Sequence, residues 1–312
     1  MSNTPKISII IPVYNVEKYI RRCLESLLKN SIINDCEIII VNDCSPDNSF
    51  SVIKNFLNEH NNPKNVLLYS HDCNRGLAAA RNTGLLQAHG EYIICVDSDD
   101  WVEPDYLEKL YDAAIKNDAD VVICDLVIER KNCSLIIKEM PQKEDYVKGL
   151  LSGSLHGWLH EKLIRRSLFM KYKISWIEGL NMCEDLLLTS KVFYVAKKIV
   201  HVQEPLYHYD CTNQNSLTYD LNENKVSQLK RVIEEIEEFL PNEYFEILKV
   251  QKSRIKIWIL KGQKHPLKED YELYNSERLS ECKLNPFFSR IFFWFCEHRI
   301  FFLARLIILV KR

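Results

Sequence analysis

The first limits on this 312-residue chain come from what it lacks. Its 11 cysteines are odd in number and never spaced as CxxC. None has zinc-ligand spacing, and reduced thiols in a cytoplasm-like compartment are the simplest reading. No run of about 18 uncharged apolar residues occurs, so no spanning helix is expected. The polar start, Met1 to Lys6, precedes only a strand-sized apolar run, too short for a signal sequence. Charge is balanced, with 41 basic and 43 acidic residues and a net charge of −2. That argues against a whole-protein nucleic-acid footprint, and no nucleic-acid partner is expected. The turn after the first apolar run, Pro12 to Tyr19, has no glycine-rich basic loop, which argues against a nucleotidyltransferase. Internal repeats and low-complexity segments are missing as well.

What is present suits a globular chain of one large or two small domains, with 46% apolar and 27% charged residues. Strand and helix patterns alternate through the first 125 residues. Apolar runs at Ile7–Ile11, Ile38–Val41, Val66–Tyr69, Tyr92–Val96 and Val121–Cys124 read as strands. Between them, apolar residues recur at helical spacing, as in Tyr19, Ile20, Cys23, Leu24 and Leu27, with Asn15 placed to cap that helix. Such alternation predicts an α/β fold with a mainly parallel sheet flanked by helices. Ligands on such sheets bind at the carboxyl ends of the strands. The polar residues of interest fall there: Tyr14 and Asn15, Asp43, and Asp97 with Asp99.

Asp97-Ser98-Asp99-Asp100 sets three carboxylates at the end of a buried strand. They repel one another unless water, a partner or a cation neutralises them. Oxygen ligands at this density suit Mg2+ or Mn2+. The bland alternative is a solvated acidic loop that caps the next helix.

Four ordered segments carry a resemblance. Ile10-Ile11-Pro12-Val13-Tyr14-Asn15, Val41 to Asp47, Asn74 to Gly84 and Asp97 to Asp100 resemble the bacterial, inverting family 2 glycosyltransferases, which have the GT-A fold. The resemblance covers about residues 6–218. It implies a GT-A domain at 1–220, with a nucleotide-sugar half at about 1–105 and an acceptor half at about 106–220. A helical extension follows at 221–312. The activity implied is metal-dependent transfer of a sugar from a nucleotide donor, expected to be UDP-linked, to a hydroxyl of a glycan or lipid-linked acceptor in surface polysaccharide synthesis. An inactive relative that only binds nucleotide sugar would not need Asp97, Asp99 and Asp185 intact. By the resemblance, Pro12, Val13, Tyr14 and Asn15 line the nucleotide pocket, with the Tyr14 ring offering stacking area. Asp43 accepts the imide N–H of uracil. Asp97 contacts ribose or metal-bound water, and Asp99 ligates the ion. Asp100 is an extra carboxylate or a helix cap. Arg81 pairs with phosphate, or instead holds the acidic loop as a structural ion-pair partner.

The family places its base in a downstream Glu-Asp pair. Here Glu184-Asp185 fits, with Asp185 as base and Glu184 as its orienting partner. Acids at a helix start are favourable without any catalytic role. Trp158 and Lys162 match the segment that precedes the base, Trp158 serving as a sugar platform or as core. Tyr207 to Thr218 resembles the loop that covers substrate, but Asp210-Cys211 stands where many relatives have arginine. His208 is a metal ligand or a structural residue. The apolar stretch 287–310, with Lys311 and Arg312 beyond it, reads as a helix lying on a membrane surface, in preference to one packed on the domain. A cytoplasmic, peripheral membrane location follows. Oligomeric state is not legible.

Overall fold

In the computed structural model the described residues are 4–139, 145–213, 221–263 and 266–310, with side chains to 307. They group into two units. One holds the described residues within 1–141 and 157–215, the other those within 142–156 and 216–312. The expected boundary near 220 falls outside the described residues.

The first unit is built on nine strands: β1 (Ile7–Val13), β2 (Glu37–Asn42), β3 (Val66–Ser70), β4 (Tyr92–Cys95), β5 (Trp101–Val102), β6 (Val121–Arg130), β7 (Cys133–Ile137), β8 (Lys162–Arg165) and β9 (Ile199–Asp210). They form one sheet in the order β3-β2-β1-β4-β8-β6-β9-β5, with β7 paired to β6. Strands β1 to β4 pair in parallel, as the alternating pattern predicts. The second half is mixed, because β8 inserts antiparallel between β4 and β6 while β6 and β9 run parallel.

Helices α1 (Ile20–Leu28), α2 (Ser49–Glu59), α3 (Leu77–Gln87) and α4 (Tyr106–Asn117) alternate with these strands. All seven residues of β1 are buried, because both sheet faces are covered. Ile7, Ile9, Ile11 and Val13 share a core with Cys23, Leu24 and Leu27 of α1 and with Leu107 and Leu110 of α4. Burying each such side chain is worth roughly 1.5–3 kcal/mol. Ile10 faces α3, which approaches so closely that a Cβ on Gly84 would lie 2.4 Å from Ile10 Cγ2. Asn15 does not cap α1. It takes a left-handed φ of 56°, which asparagine tolerates, and the helix starts only after Tyr19.

The second unit is helical. It contains α5 (Tyr146–Ser152), and the later α8 (Glu223–Phe239), α9 (Phe245–Gly262), α10 (Lys268–Glu272), α11 (Phe287–Glu297) and α12 (Phe301–Val310); α6 (Arg166–Tyr172) and α7 (Glu184–Val195) belong to the first unit. Val226, Leu229, Val232, Ile233 and Ile236 form the buried stripe of α8, at the spacing the sequence shows. Phe292, Phe293 and Cys296 of α11 and Ala304 of α12 join Leu260, Tyr271 and Leu279 in a separate core.

Candidate active site

The acidic loop leaves β4 at the carboxyl end of the parallel strands. Asp97 receives Arg81 Nη2 on Oδ1 at 2.9 Å, and its Oδ2 lies 3.7 Å from His160 Nδ1. Burial alone would raise its pKa, but Arg81 and His160 outweigh burial and hold it well below the usual carboxylate range. Asp99 turns one oxygen to Asn213 Nδ2 at 2.9 Å. Burial and the neighbouring Asp97 push its pKa up. Asp100 is fully buried and holds the loop together, accepting from the Tyr207 hydroxyl at 2.6 Å and the Asp210 N–H at 2.8 Å. Burial, then Asp99 and Asp97, push it well above its ordinary range.

This donor set fits a hard divalent cation. The carboxylates are crowded enough to raise one another's pKa, and a cation relieves that. Among the described residues, donor atoms of Asp97, Asp100 and His160 lie within 4.8 Å of one another. Asp99, the expected ligand, is not in that cluster, although no other side chain reaches its second oxygen among the described residues.

The Glu-Asp pair opens α7, after Cys183 in a left-handed conformation. Arg81 binds both acids through Nη1, with Asp185 Oδ1 at 2.6 Å and Glu184 Oε1 at 2.9 Å. Burial and the adjacent Asp185 push the Glu184 carboxyl up to about 8. Burial raises Asp185 too, against the opposing pull of Arg81. The segment before α7 is stitched to α3, since Asn82 and the Trp176 backbone exchange hydrogen bonds of 2.8 and 3.0 Å. Arg75 reaches Glu178 at 2.9 Å. The Asn74 to Gly84 segment is thus the element that carries the acid pair to the strand ends.

Arg81 is 2% exposed and pairs with three carboxyl groups, the arrangement of the ion-pair alternative. Pro12 and Val13 lie inside β1 and are buried, and Tyr14, 47% exposed, and Asn15 form the surface of that turn. Asp43 is 2% exposed. It accepts the N–H groups of Arg75 and Gly76 at 2.8 and 2.7 Å and contacts His71 Nδ1 at 2.7 Å. A carboxylate has about four lone-pair positions, so one remains. These contacts hold the 71–76 turn.

Lys162 is buried against Glu161 and donates to the Trp158 carbonyl at 2.6 Å. Trp158 is half-buried in a stack in which His160 lies 5.8 Å from Trp158 and 4.4 Å from Tyr207. His208 is structural, with its nitrogens 2.9 Å from Glu129 and Glu103. Asp210 pairs with Arg22 at 2.6 Å, and Arg22 also donates to the Asp99 carbonyl at 2.5 Å and covers Trp101. A cation therefore does stand beside the acidic loop, supplied by α1. Residues 214–218 of the expected covering loop lie outside the described residues. Sequence reasoning missed His160, Tyr207 and Arg22.

The model of the family described as Glycosyl transferase family 2 matches residues 8–173, just over half of the chain. EpsH of Bacillus subtilis is 38% identical over 216 residues, 66% of this chain and 61% of its own length. Glycosyltransferase GlyG of Streptococcus pneumoniae is 33% identical over 218 residues, 65% of this chain and 70% of its own. Poly(ribitol-phosphate) beta-N-acetylglucosaminyltransferase TarS of Staphylococcus aureus is 30% identical over 207 residues, 65% of this chain and 35% of its own. The chain spans less than two thirds of the length of several of these relatives. The crystal structure of S. aureus TarS 1-349 with UDP-GlcNAc superposes with a TM-score of 0.77 at 21% identity, covering 98% of this chain and 91% of that one. The fold is thus that of the GT-A glycosyltransferases, and the chain belongs to glycosyl transferase family 2.

Proposed function

We propose that the chain is an inverting glycosyltransferase that moves a sugar from a UDP-sugar to a hydroxyl of a glycan or lipid-linked acceptor in surface polysaccharide synthesis. One observation carries the reading: Asp97 of the acidic loop and Asp185 of the distant acid pair meet on a single guanidinium. A donor-binding group and a proton acceptor thereby share one site. The likeness to TarS, crystallised with UDP-GlcNAc, supports the donor class.

Tyr14 offers its ring to the base, and Asn15 shapes the turn beside it. Asp97 and Asp99, with His160 and Asp100 close by, would hold Mg2+ or Mn2+. That ion would stabilise the charge developing on the leaving diphosphate. Asp185 takes the acceptor hydroxyl's proton as that oxygen bonds to the anomeric carbon and the bond to UDP breaks. Burial raises its pKa, which makes it a stronger base than an ordinary aspartate. Glu184 shares the guanidinium with the two aspartates.

The tail reading splits in two. One face of α11 packs within the helical unit through Phe292, Phe293 and Cys296. Phe287, Phe288, Trp294 and Phe302 stay exposed, and we assign that face to a membrane surface on the cytoplasmic side. No helix among the described residues is long and apolar enough to cross a membrane. Lys311 and Arg312 lie outside the described residues.

A thermal-shift screen of nucleotides and nucleotide sugars with Mn2+ tests the proposal. Saturation at about 100 times Kd stabilises by about 2.7 kcal/mol, so a true donor raises the melting temperature clearly. UDP and a UDP-sugar should do so with Mn2+ and much less with EDTA. A larger shift with a guanosine or cytidine nucleotide would overturn the donor assignment.

A further inference from the structure

Arg81 makes contacts in two places at once. Its Nη2 lies 2.9 Å from Asp97, which follows β4, and its Nη1 lies 2.6 Å from Asp185 and 2.9 Å from Glu184, which open α7. The Arg81 side chain is 2% exposed, and its partners are 26% exposed at Asp97 and 17% at Asp185, so water screens these pairs far less than it screens surface pairs. Nε has no hydrogen-bond partner among the described residues, so the hydrogen bonds of the guanidinium go to Asp97 on one side and to Glu184 and Asp185 on the other. Guanidinium suits this arrangement: its planar fork offers donors in two directions, where an ammonium offers one compact charge.

A shared, largely buried charge makes its partners interdependent. Whatever neutralises one carboxylate releases part of the guanidinium to the other. We infer that Arg81 is a positioning residue that couples donor binding at Asp97 to the state of the base at Asp185. The inference rests on the functional reading above. When a cation and a nucleotide diphosphate occupy the acidic loop, Asp97 needs Arg81 less. The guanidinium then settles on Asp185, fixing that carboxylate in place and favouring its ionised form when a donor is present. Coupling of this kind is reciprocal, so the charge of Asp185 must in turn affect the affinity for donor and ion. Other charged groups facing Asp185 are Glu184 on its own helix, His160 just before β8, Lys162 at the start of β8, and Asp97. Arg81 makes ion pairs with both aspartates.

A cycle of variants read by UDP binding tests this, using the full chain with Mn2+ in calorimetry. Asp185→Asn leaves Arg81 to Asp97, so UDP–Mn2+ affinity should fall about three- to tenfold. In an Arg81→Lys background the same substitution should change affinity less than twofold. In wild-type protein the guanidinium 15N resonances of Arg81 should shift on adding UDP with Mg2+, a readout that needs no variant to fold. An equal effect of Asp185→Asn in both backgrounds, no effect in either, or unmoved resonances in a protein that does bind UDP would overturn the coupling and leave the donor reading intact. Failure of wild-type protein to bind UDP with Mn2+ would instead overturn the donor reading itself. If Arg81 were purely structural, Arg81→Lys would lower stability without changing the effect of Asp185→Asn on UDP affinity.

Discussion

The Tyr207 hydroxyl donates to Asp100 at 2.6 Å and accepts the N–H of Asp97 at 3.1 Å. One phenol on β9 thus fixes both ends of the acidic loop that follows β4. Tyr207→Phe removes a partner from a fully buried carboxylate. The loss should cost about 1–3 kcal/mol of stability, the usual penalty for a buried polar group left short of a hydrogen bond. UDP affinity with Mn2+ should fall with it. Denaturant unfolding and calorimetry read the two effects. A variant as stable as wild type would show that Asp100 is satisfied in some other way.

Asp99→Ala should abolish the Mn2+ dependence of UDP binding and leave the fold intact. Removing this carboxylate relieves repulsion from Asp97, so the protein without ion should be no less stable. Calorimetry with and without Mn2+ checks it. Undiminished, ion-dependent affinity would move the ligand role from Asp99 to Asp100 and His160, whose donor atoms converge with those of Asp97.

Glu184 predicts how stability responds to pH. Its carboxyl is pushed up to about 8 by burial and by Asp185, against about 4.5 when unfolded. The native state therefore holds a proton that the unfolded chain has released. This contribution is complete below pH 4.5 and is lost as pH rises towards 8. Glu184→Gln cannot release that proton, so its melting temperature should decline less than wild type between pH 5 and 8. Parallel curves would place the Glu184 pKa near its ordinary value. The raised pKa of Asp185 acts on activity, because only the ionised carboxylate accepts a proton. Turnover should rise with pH through a value above that of an ordinary aspartate.

The exposed aromatic face predicts vesicle binding. Deleting residues 287–312 is not the test that the tail's sequence suggests, because Phe292, Phe293 and Ala304 are core. Truncation should destabilise the helical unit. Phe287→Ser with Phe288→Ser and Phe302→Ser removes only exposed rings. This variant should keep its melting temperature and lose co-sedimentation with anionic vesicles, since each ring is worth at most about 1.5–3 kcal/mol on burial. Failure of the unaltered protein to co-sediment would count against the membrane face.

The strands of the first half and the acid-bearing strand ends were legible because hydrophobic runs and turn chemistry are local. Strands β5, β7, β8 and β9 were not, being short, half-exposed or interrupted by polar residues. The same limit hid His160. It reaches Asp97 only because β8 pairs antiparallel with β4, Tyr92 opposite Arg165 and Ile93 opposite Ile164, a register that no local pattern announces. Arg22 was hidden likewise, 188 residues from the Asp210 it pairs with. Motif position found Arg81, but the three carboxyl groups it pairs with are gathered by the fold. The burial of Pro12, Val13 and Lys162 was hidden for the same reason, being a tertiary property.

The most direct test of sugar transfer with Asp185 as base compares wild-type protein and Asp185→Asn for transfer from the UDP-sugar that stabilises the protein most, with Mn2+ and a hydroxyl acceptor. The account predicts that the variant still binds UDP, within about tenfold of wild type. Transfer should fall by about 10²–10⁴-fold, the usual worth of a general base. Transfer by the variant at a rate close to wild type would contradict the account and place the base elsewhere.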